Sequence, residues 1–163
     1  MLALIDTGFS NLRAYSNLLN YLGVHFEIIH SGRDLRNAIH HTVILPGVST
    51  FGVLAHELHN RGFTEKLQEL AQSGGKIIGT CSGMQILFNE SQESDGAAGL
   101  GLINGEVKKF PYKNGSDIHI GWRKTITGEY FFVHGYYCET YEELDDVSFI
   151  DFNGVRLDRK SVV

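Results

Sequence analysis

Gly79-Thr80-Cys81-Ser82-Gly83 is the segment best equipped for chemistry. The apolar pair Ile77-Ile78 precedes it as a strand, and Met84 to Phe88 reads as the start of a helix. Small-X-nucleophile-X-small between a strand and a helix is the layout of a nucleophile elbow. The nucleophile of such a turn sits in a strained backbone, so its neighbours must lack bulky side chains, and a glycine at each flank meets that need. The helix that follows would point the positive end of its dipole at the sulfur and favour thiolate. The competing reading is a tight turn around an inert cysteine, and the paired glycines after a strand favour the reactive one.

A thiolate attacking a carbonyl needs donors for the oxyanion it creates. Pro46-Gly47-Val48-Ser49 is the candidate. Pro46 fixes the entry angle, Gly47 leaves its N–H open to an approaching oxygen, and the segment ends a strand at the same sheet edge as Cys81. A cysteine nucleophile also needs a base. Downstream of Cys81 the histidines are His119 and His134. His134 ends the aromatic run Tyr130-Phe131-Phe132-Val133 and reads as a partly buried ring bonded to backbone. His119 reads as structural or interfacial, and neither histidine has an acid two residues on to orient it. His56 and His59 are spaced i, i+3, unlike the i, i+4 pair of a zinc-peptidase helix. Ser73-Gly74-Gly75-Lys76 lacks the first glycine of a phosphate loop, and Gly99-Leu100-Gly101 opens no helix. No metal and no cofactor is expected.

The elements that must position these groups follow from apolar spacing. Leu2 to Ile5, His25 to Ile29, Val43 to Leu45 (stopped by Pro46-Gly47) and Ile77-Ile78 read as strands. Leu12, Tyr15, Leu18, Leu19 and Leu22 recur at helical spacing before Gly23. Leu54, Leu58 and Phe63, then Leu67 and Leu70, read as helical faces interrupted by Gly62. The alternation predicts an α/β fold, an open and mostly parallel sheet with helices on both faces and its site at the carboxyl ends of the strands. Gly105 to Phe110, Ile118 to Trp122 and Tyr130 to Val133 are meander-like and predict an antiparallel edge in the C-terminal half. Glu139 to Asp146 carries five acids and reads as a solvated helical face or loop.

The chain has 163 residues, which suggests a single domain over 1–163, and its 42% hydrophobic content excludes intrinsic disorder. A net charge of −5 argues against nucleic acid or an anionic membrane as partner. No window approaches the ~18 apolar residues that span a bilayer, and the N-terminus lacks the basic start of a signal peptide. Cys81 and Cys138 cannot form a disulfide framework, so a reducing cytoplasm is the expected location.

Six segments also carry a resemblance: Asp6 to Leu12, Leu45 to Val48, Gly79 to Gln85, Gly99 to Ile103, His119 to Trp122 and Phe132 to Tyr137. In this order they resemble the class I glutamine amidotransferases, closest to the glutaminase subunits of imidazole glycerol phosphate synthases. The resemblance covers essentially the whole chain. It implies hydrolysis of L-glutamine to glutamate and ammonia, with Cys81 forming a thioester. Gly47 and Val48 would line the oxyanion strand, Gln85 and Glu93 would hold the substrate's polar groups, and Gly135 and Tyr136 would close over its backbone. Ammonia would pass to a (β/α)8-barrel cyclase subunit, the partner in a heterodimer that serves histidine biosynthesis. The Asp6-to-Leu12 loop and His119 to Arg123 would face that partner. The resemblance also fits suppliers of ammonia to sugar-amidinating synthases, and a non-catalytic scaffold of the same fold.

Ser49 stands where the family has glycine, Ser82 where it has leucine, Gly135 where it has serine and Arg123 where it has asparagine. The family's base and its orienter lie in a His-Pro-Glu stretch after a final strand. That stretch is not among these residues, which end at Lys160-Ser161-Val162-Val163. The expectation is a chain truncated at its C-terminus, or a natural non-catalytic form, that does not hydrolyse glutamine at a useful rate and leaves sheet edges unpaired.

Overall fold

A computed structural model describes residues 1–37, 39–113, 115–125, 128–142, 149–152 and 155–158. Its first half is β1 (Leu2–Ile5), α1 (Leu12–Tyr21), β2 (Phe26–Ile29), β3 (Thr42–Gly47), α2 (Phe51–Asn60), α3 (Phe63–Gln72), β4 (Lys76–Cys81) and α4 (Ser82–Gln85). The four strands are parallel, in the order β2-β1-β3-β4. Period-2 alternation assigns their side chains to two layers. Ala3, Ile5, Val43, Leu45 and Ile77 face α2 and α3, where Leu54, Leu58, Phe63, Leu67 and Leu70 complete the main core. Leu2, Leu4, Ile44 and Ile78 face α1, which covers them with Leu12, Tyr15 and Leu19.

Several boundaries differ from the sequence reading. Strand β3 runs through Pro46 to Gly47, pairing Pro46 with Thr80 and Gly47 with Cys81. Its other neighbour, β1, pairs only as far as Ile44, so the donor that proline lacks is not needed there. Helix α4 is one turn, Ser82–Gln85, and begins directly after the cysteine; Ile86 to Phe88 continue as turns and pack into the core. Of the α1 leucines, Leu18 and Leu22 are exposed and only Leu19 is buried.

The second half is β5 (Glu90–Ser91), β6 (Gly105–Lys109), β7 (His119–Thr125), β8 (Gly128–His134), β9 (Tyr136–Thr140), β10 (Phe149–Phe152) and β11 (Val155–Asp158). β6 pairs antiparallel with β9 and parallel with β5. β7–β8 and β10–β11 are antiparallel hairpins. Within the acidic run, Glu139 and Thr140 belong to β9, so that part is strand, while 143–148 lie outside the described residues. Among the described residues no helix is long and apolar enough to cross a membrane.

Candidate active site

Cys81 closes β4 and opens α4. Its φ of 54° and ψ of −124° make it the one non-glycine with positive φ among the described residues. Such a conformation costs about 1–3 kcal/mol and persists only where the surroundings over-determine it. A Cβ on Gly79 would stand 2.3 Å from the Gly83 carbonyl oxygen, and one on Gly83 would stand 1.9 Å from that of Leu45. The flanking glycines therefore let the end of β4, the start of α4 and β3 close on one another, and the cysteine between them is left exposed. The one-turn length of α4 corrects the dipole expectation: so short a helix sums few peptide dipoles, and the turn itself places the sulfur.

Cys81 borders two cavities of about 360 Å³ each. One is walled by Gln85, by Phe131, Val133 and His134 of β8, and by Tyr136 of β9. The other is walled by Asn11, Tyr15 and Leu18 on one side and by Pro46, Gly47 and Val48 on the other. Cys81, Gln85 and Tyr136 thus share the first cavity, and Cys81, Gly47 and Val48 the second. Gly135 precedes Tyr136 but is not on the wall of the first cavity.

Glu93 lies elsewhere. Its carboxylate accepts the N–H of Phe51 at 2.7 Å, and the Ser94 hydroxyl accepts that of Gly52 at 3.0 Å. Thr50, at the N-cap of α2, makes no side-chain cap bond, so the helix that follows the Gly47–Ser49 segment is capped by a distant loop. Val48 donates its N–H to the Phe9 carbonyl oxygen at 3.1 Å. In this arrangement one candidate oxyanion donor is engaged by the Asp6-to-Leu12 loop. That loop is itself held: Asp6 accepts from Gly8 N–H at 2.8 Å and pairs with His30 at 3.0 Å. The Ser82 hydroxyl is buried without a hydrogen-bond partner, and a Cβ on Gly47 would meet it at 2.3 Å.

His134 Nδ1 lies 2.7 Å from the Tyr136 carbonyl oxygen and its Nε2 lies 2.9 Å from His119 Nδ1. A carbonyl only accepts, so Nδ1 of His134 carries the proton; its neutral ring then accepts from His119 at Nε2. Phe110 meets both rings edge-on, and Phe132 stacks on His119. Burial, the neighbouring His134 and the Arg123 charge push His119 down to about 4, and burial lowers His134 as well. Both imidazoles are neutral near pH 7, and the one on the cavity wall has both nitrogens in use.

Sequence reasoning missed the loop-derived cap of α2, the Phe9–Val48 bond and a hydrogen bond between Tyr15 and Thr80. Tyr15 reads as an apolar contact of α1, and no local pattern signals that its hydroxyl reaches the end of β4.

A strained Cys81 turn at the carboxyl edge of a parallel sheet, with an antiparallel edge beyond it, fits a class I glutamine amidotransferase domain, and the chain belongs to that class. Residues 4–136 match the CobB/CobQ-like glutamine amidotransferase domain. A crystal structure of a glutamine amidotransferase shares the fold, with a TM-score of 0.66 over 89% of this chain and 76% of that one at 15% identity. Within the class, the chain belongs to the family of the imidazole glycerol phosphate synthase subunit HisH. It is 30% identical to HisH of Leptospira interrogans over 94% of this chain and 83% of that one. With HisH of Listeria innocua it is 36% identical over 85% and 72%.

Proposed function

We propose that this chain is the glutaminase subunit of an ammonia-supplying synthase of the imidazole glycerol phosphate type, with Cys81 as its nucleophile. The observation that carries the reading is the strained, exposed Cys81 between a cavity of about 360 Å³ and the Gly47–Val48 segment. Sγ attacks the side-chain amide carbon; the C–N bond breaks and the leaving nitrogen takes the proton given up by the thiol, departing as ammonia. Water then cleaves the γ-glutamyl thioester, releasing glutamate and returning a proton to Sγ. Gln85 and Tyr136 hold the substrate's polar groups in the first cavity. Val48 N–H serves the oxyanion only after leaving the Phe9 carbonyl, so the Asp6-to-Leu12 loop gates the hole. Glu93 contributes through the α2 cap that anchors the far end of the oxyanion strand, its carboxylate being committed to Phe51.

The partner is a (β/α)8-barrel cyclase, and it docks on the β7–β8 hairpin. Cross-strand pairs Ile120–Val133 and Trp122–Phe131 place 61%, 64%, 62% and 54% exposed side chains together in one apolar stripe. Phe131 and Val133 also wall the first cavity, so the stripe leads to Cys81. A stripe of this kind is what an obligate interface covers. The reaction is cytoplasmic.

The engaged nitrogens of His134 favour a second reading, a scaffold of the same fold with little turnover. A nucleophile whose neighbouring imidazole cannot take its proton loses roughly 10⁴ to 10⁶ in turnover, so under this second reading glutamate release is expected to be barely above background. Binding is the sharper test. Calorimetric titration with L-glutamine is expected to show saturable binding, weakened about tenfold by Gln85→Ala through the loss of hydrogen bonds to a charged substrate. No saturable binding would reject the glutaminase reading.

A further inference from the structure

Thr80 stands directly before the nucleophile, and its Oγ1 shares a 2.5 Å hydrogen bond with the phenol of Tyr15, 65 residues away in sequence. The Tyr15 ring is seated by the sheet: it packs against the cluster of Leu4, Leu19 and Ile44 beneath α1. That seat delivers the hydroxyl to the end of β4, on the wall of the cavity that Cys81 shares with Gly47 and Val48. The helix carrying it is capped by Asn11, whose side chain accepts from Ala14 N–H, two residues after the Phe9 carbonyl that holds Val48. One continuous segment, residues 9–15, therefore grips both halves of the site. Phe9 holds the oxyanion strand and Tyr15 holds the nucleophile turn.

We infer that Tyr15 is a positioning residue for Cys81, acting through Thr80, so that a shift of α1 and its leading loop moves the nucleophile turn and the oxyanion strand together. The flanking glycines permit the positive φ of Cys81 but do not enforce it. A hydrogen bond from the preceding side chain to a helix packed on the sheet adds a restraint that favours it. Freed of that tie, the turn relaxes toward negative φ and withdraws the thiol. The inference rests on the glutaminase reading for what the site does, while the tie itself concerns only the geometry of the thiol.

The test is a double-mutant cycle on the rate of Cys81 alkylation by iodoacetamide, in a Cys138→Ala background. Tyr15→Phe keeps the ring and Thr80→Val keeps the shape, each removing one hydroxyl. Each is expected to slow alkylation about fivefold, the scale of one hydrogen bond, and the double variant to slow it no further than the larger single effect. Thr80→Ser is expected to restore the original rate, which a merely structural contribution of the side chain would not do. If the valine variant fails to fold, Thr80→Ala completes the cycle. Unchanged rates, additive effects or failure of serine to restore the rate would overturn the inference. Titration of the unsubstituted chain with L-glutamine separates the two claims: coupling without glutamine binding rejects the glutaminase reading alone, and glutamine binding without coupling rejects the tie alone.

Discussion

Cys81 is held at φ 54° in a turn whose flanking glycines cannot carry a Cβ, so the backbone there stores strain. Cys81→Gly is expected to raise the stability of the chain by about 1 kcal/mol, strain relief exceeding the extra entropy of the unfolded glycine. Cys81→Ala keeps the strain and should stay near the original stability. Urea denaturation of both variants decides it, and a glycine variant no more stable than the alanine one would deny the strain. Gly47 and Ser82 form a second test. Gly47→Ala drives a methyl to 2.3 Å from the Ser82 hydroxyl and 2.6 Å from the Gly83 nitrogen. It is expected to cost about 1–3 kcal/mol as overpacking, while Ser82→Ala removes a buried unpaired hydroxyl and is expected to be neutral or mildly stabilising. The same denaturation curves read both. At this scale the sequence was most legible, because Gly-X-Cys-X-Gly after a strand states its geometry within five residues. The Tyr15–Thr80 and Phe9–Val48 bonds were not legible, since each joins residues far apart in sequence that only the folded sheet brings together.

The strands and helices of the first half follow from period-2 and helical spacing. The errors fall where tertiary contacts outweigh local signals. Pro46 stays in β3 because β1 pairs only as far as Ile44 and asks no donor of it, and the Met84-to-Phe88 helix is cut to the single turn Ser82–Gln85 because Ile86, Leu87 and Phe88 turn into the core. Strand β9 has no local signal of its own: Tyr136 to Thr140 directly follows β8, and its pairing with β6 is set by a partner about thirty residues earlier. The cap of α2 is also long-range, and it is open to test. Glu93→Ala removes the acceptor of the Phe51 N–H and is expected to cost about 1 kcal/mol. Hydrogen exchange should then quicken at Phe51 and Gly52 before it does elsewhere in α2. Exchange left unchanged at those amides would show that the carboxylate does not anchor the helix.

Over the whole molecule, two surfaces meet at the site: a packed α/β sheet that fixes Cys81 and a β7–β8 hairpin with one buried and one exposed face. The alternation in Ile118-His119-Ile120-Gly121-Trp122 was visible in the sequence, but which face was buried was not, because apolar residues lie outside and His119 inside. That inversion gives a pH signature. His119 titrates near 4 when folded and near 6.5 when unfolded, and His134 is lowered in the same direction. Between those values the unfolded chain binds more protons, so stability is full above about pH 6.5 and declines as pH falls toward 4. Denaturation midpoints at pH 7.5 and pH 5 should differ in that sense, and His119→Phe should flatten the difference. Trp122→Glu, at the centre of the outward stripe, is expected to weaken capture of a (β/α)8-barrel cyclase at least tenfold, as loss of an interface aromatic does, while leaving glutamine binding intact. The most direct measurement is covalent: treat the chain with a diazoketone analogue of glutamine and locate the adduct by peptide mass. A single adduct on Cys81, suppressed by L-glutamine and not by L-asparagine, is the expected result; an adduct elsewhere, or labelling that L-glutamine does not suppress, would contradict the account.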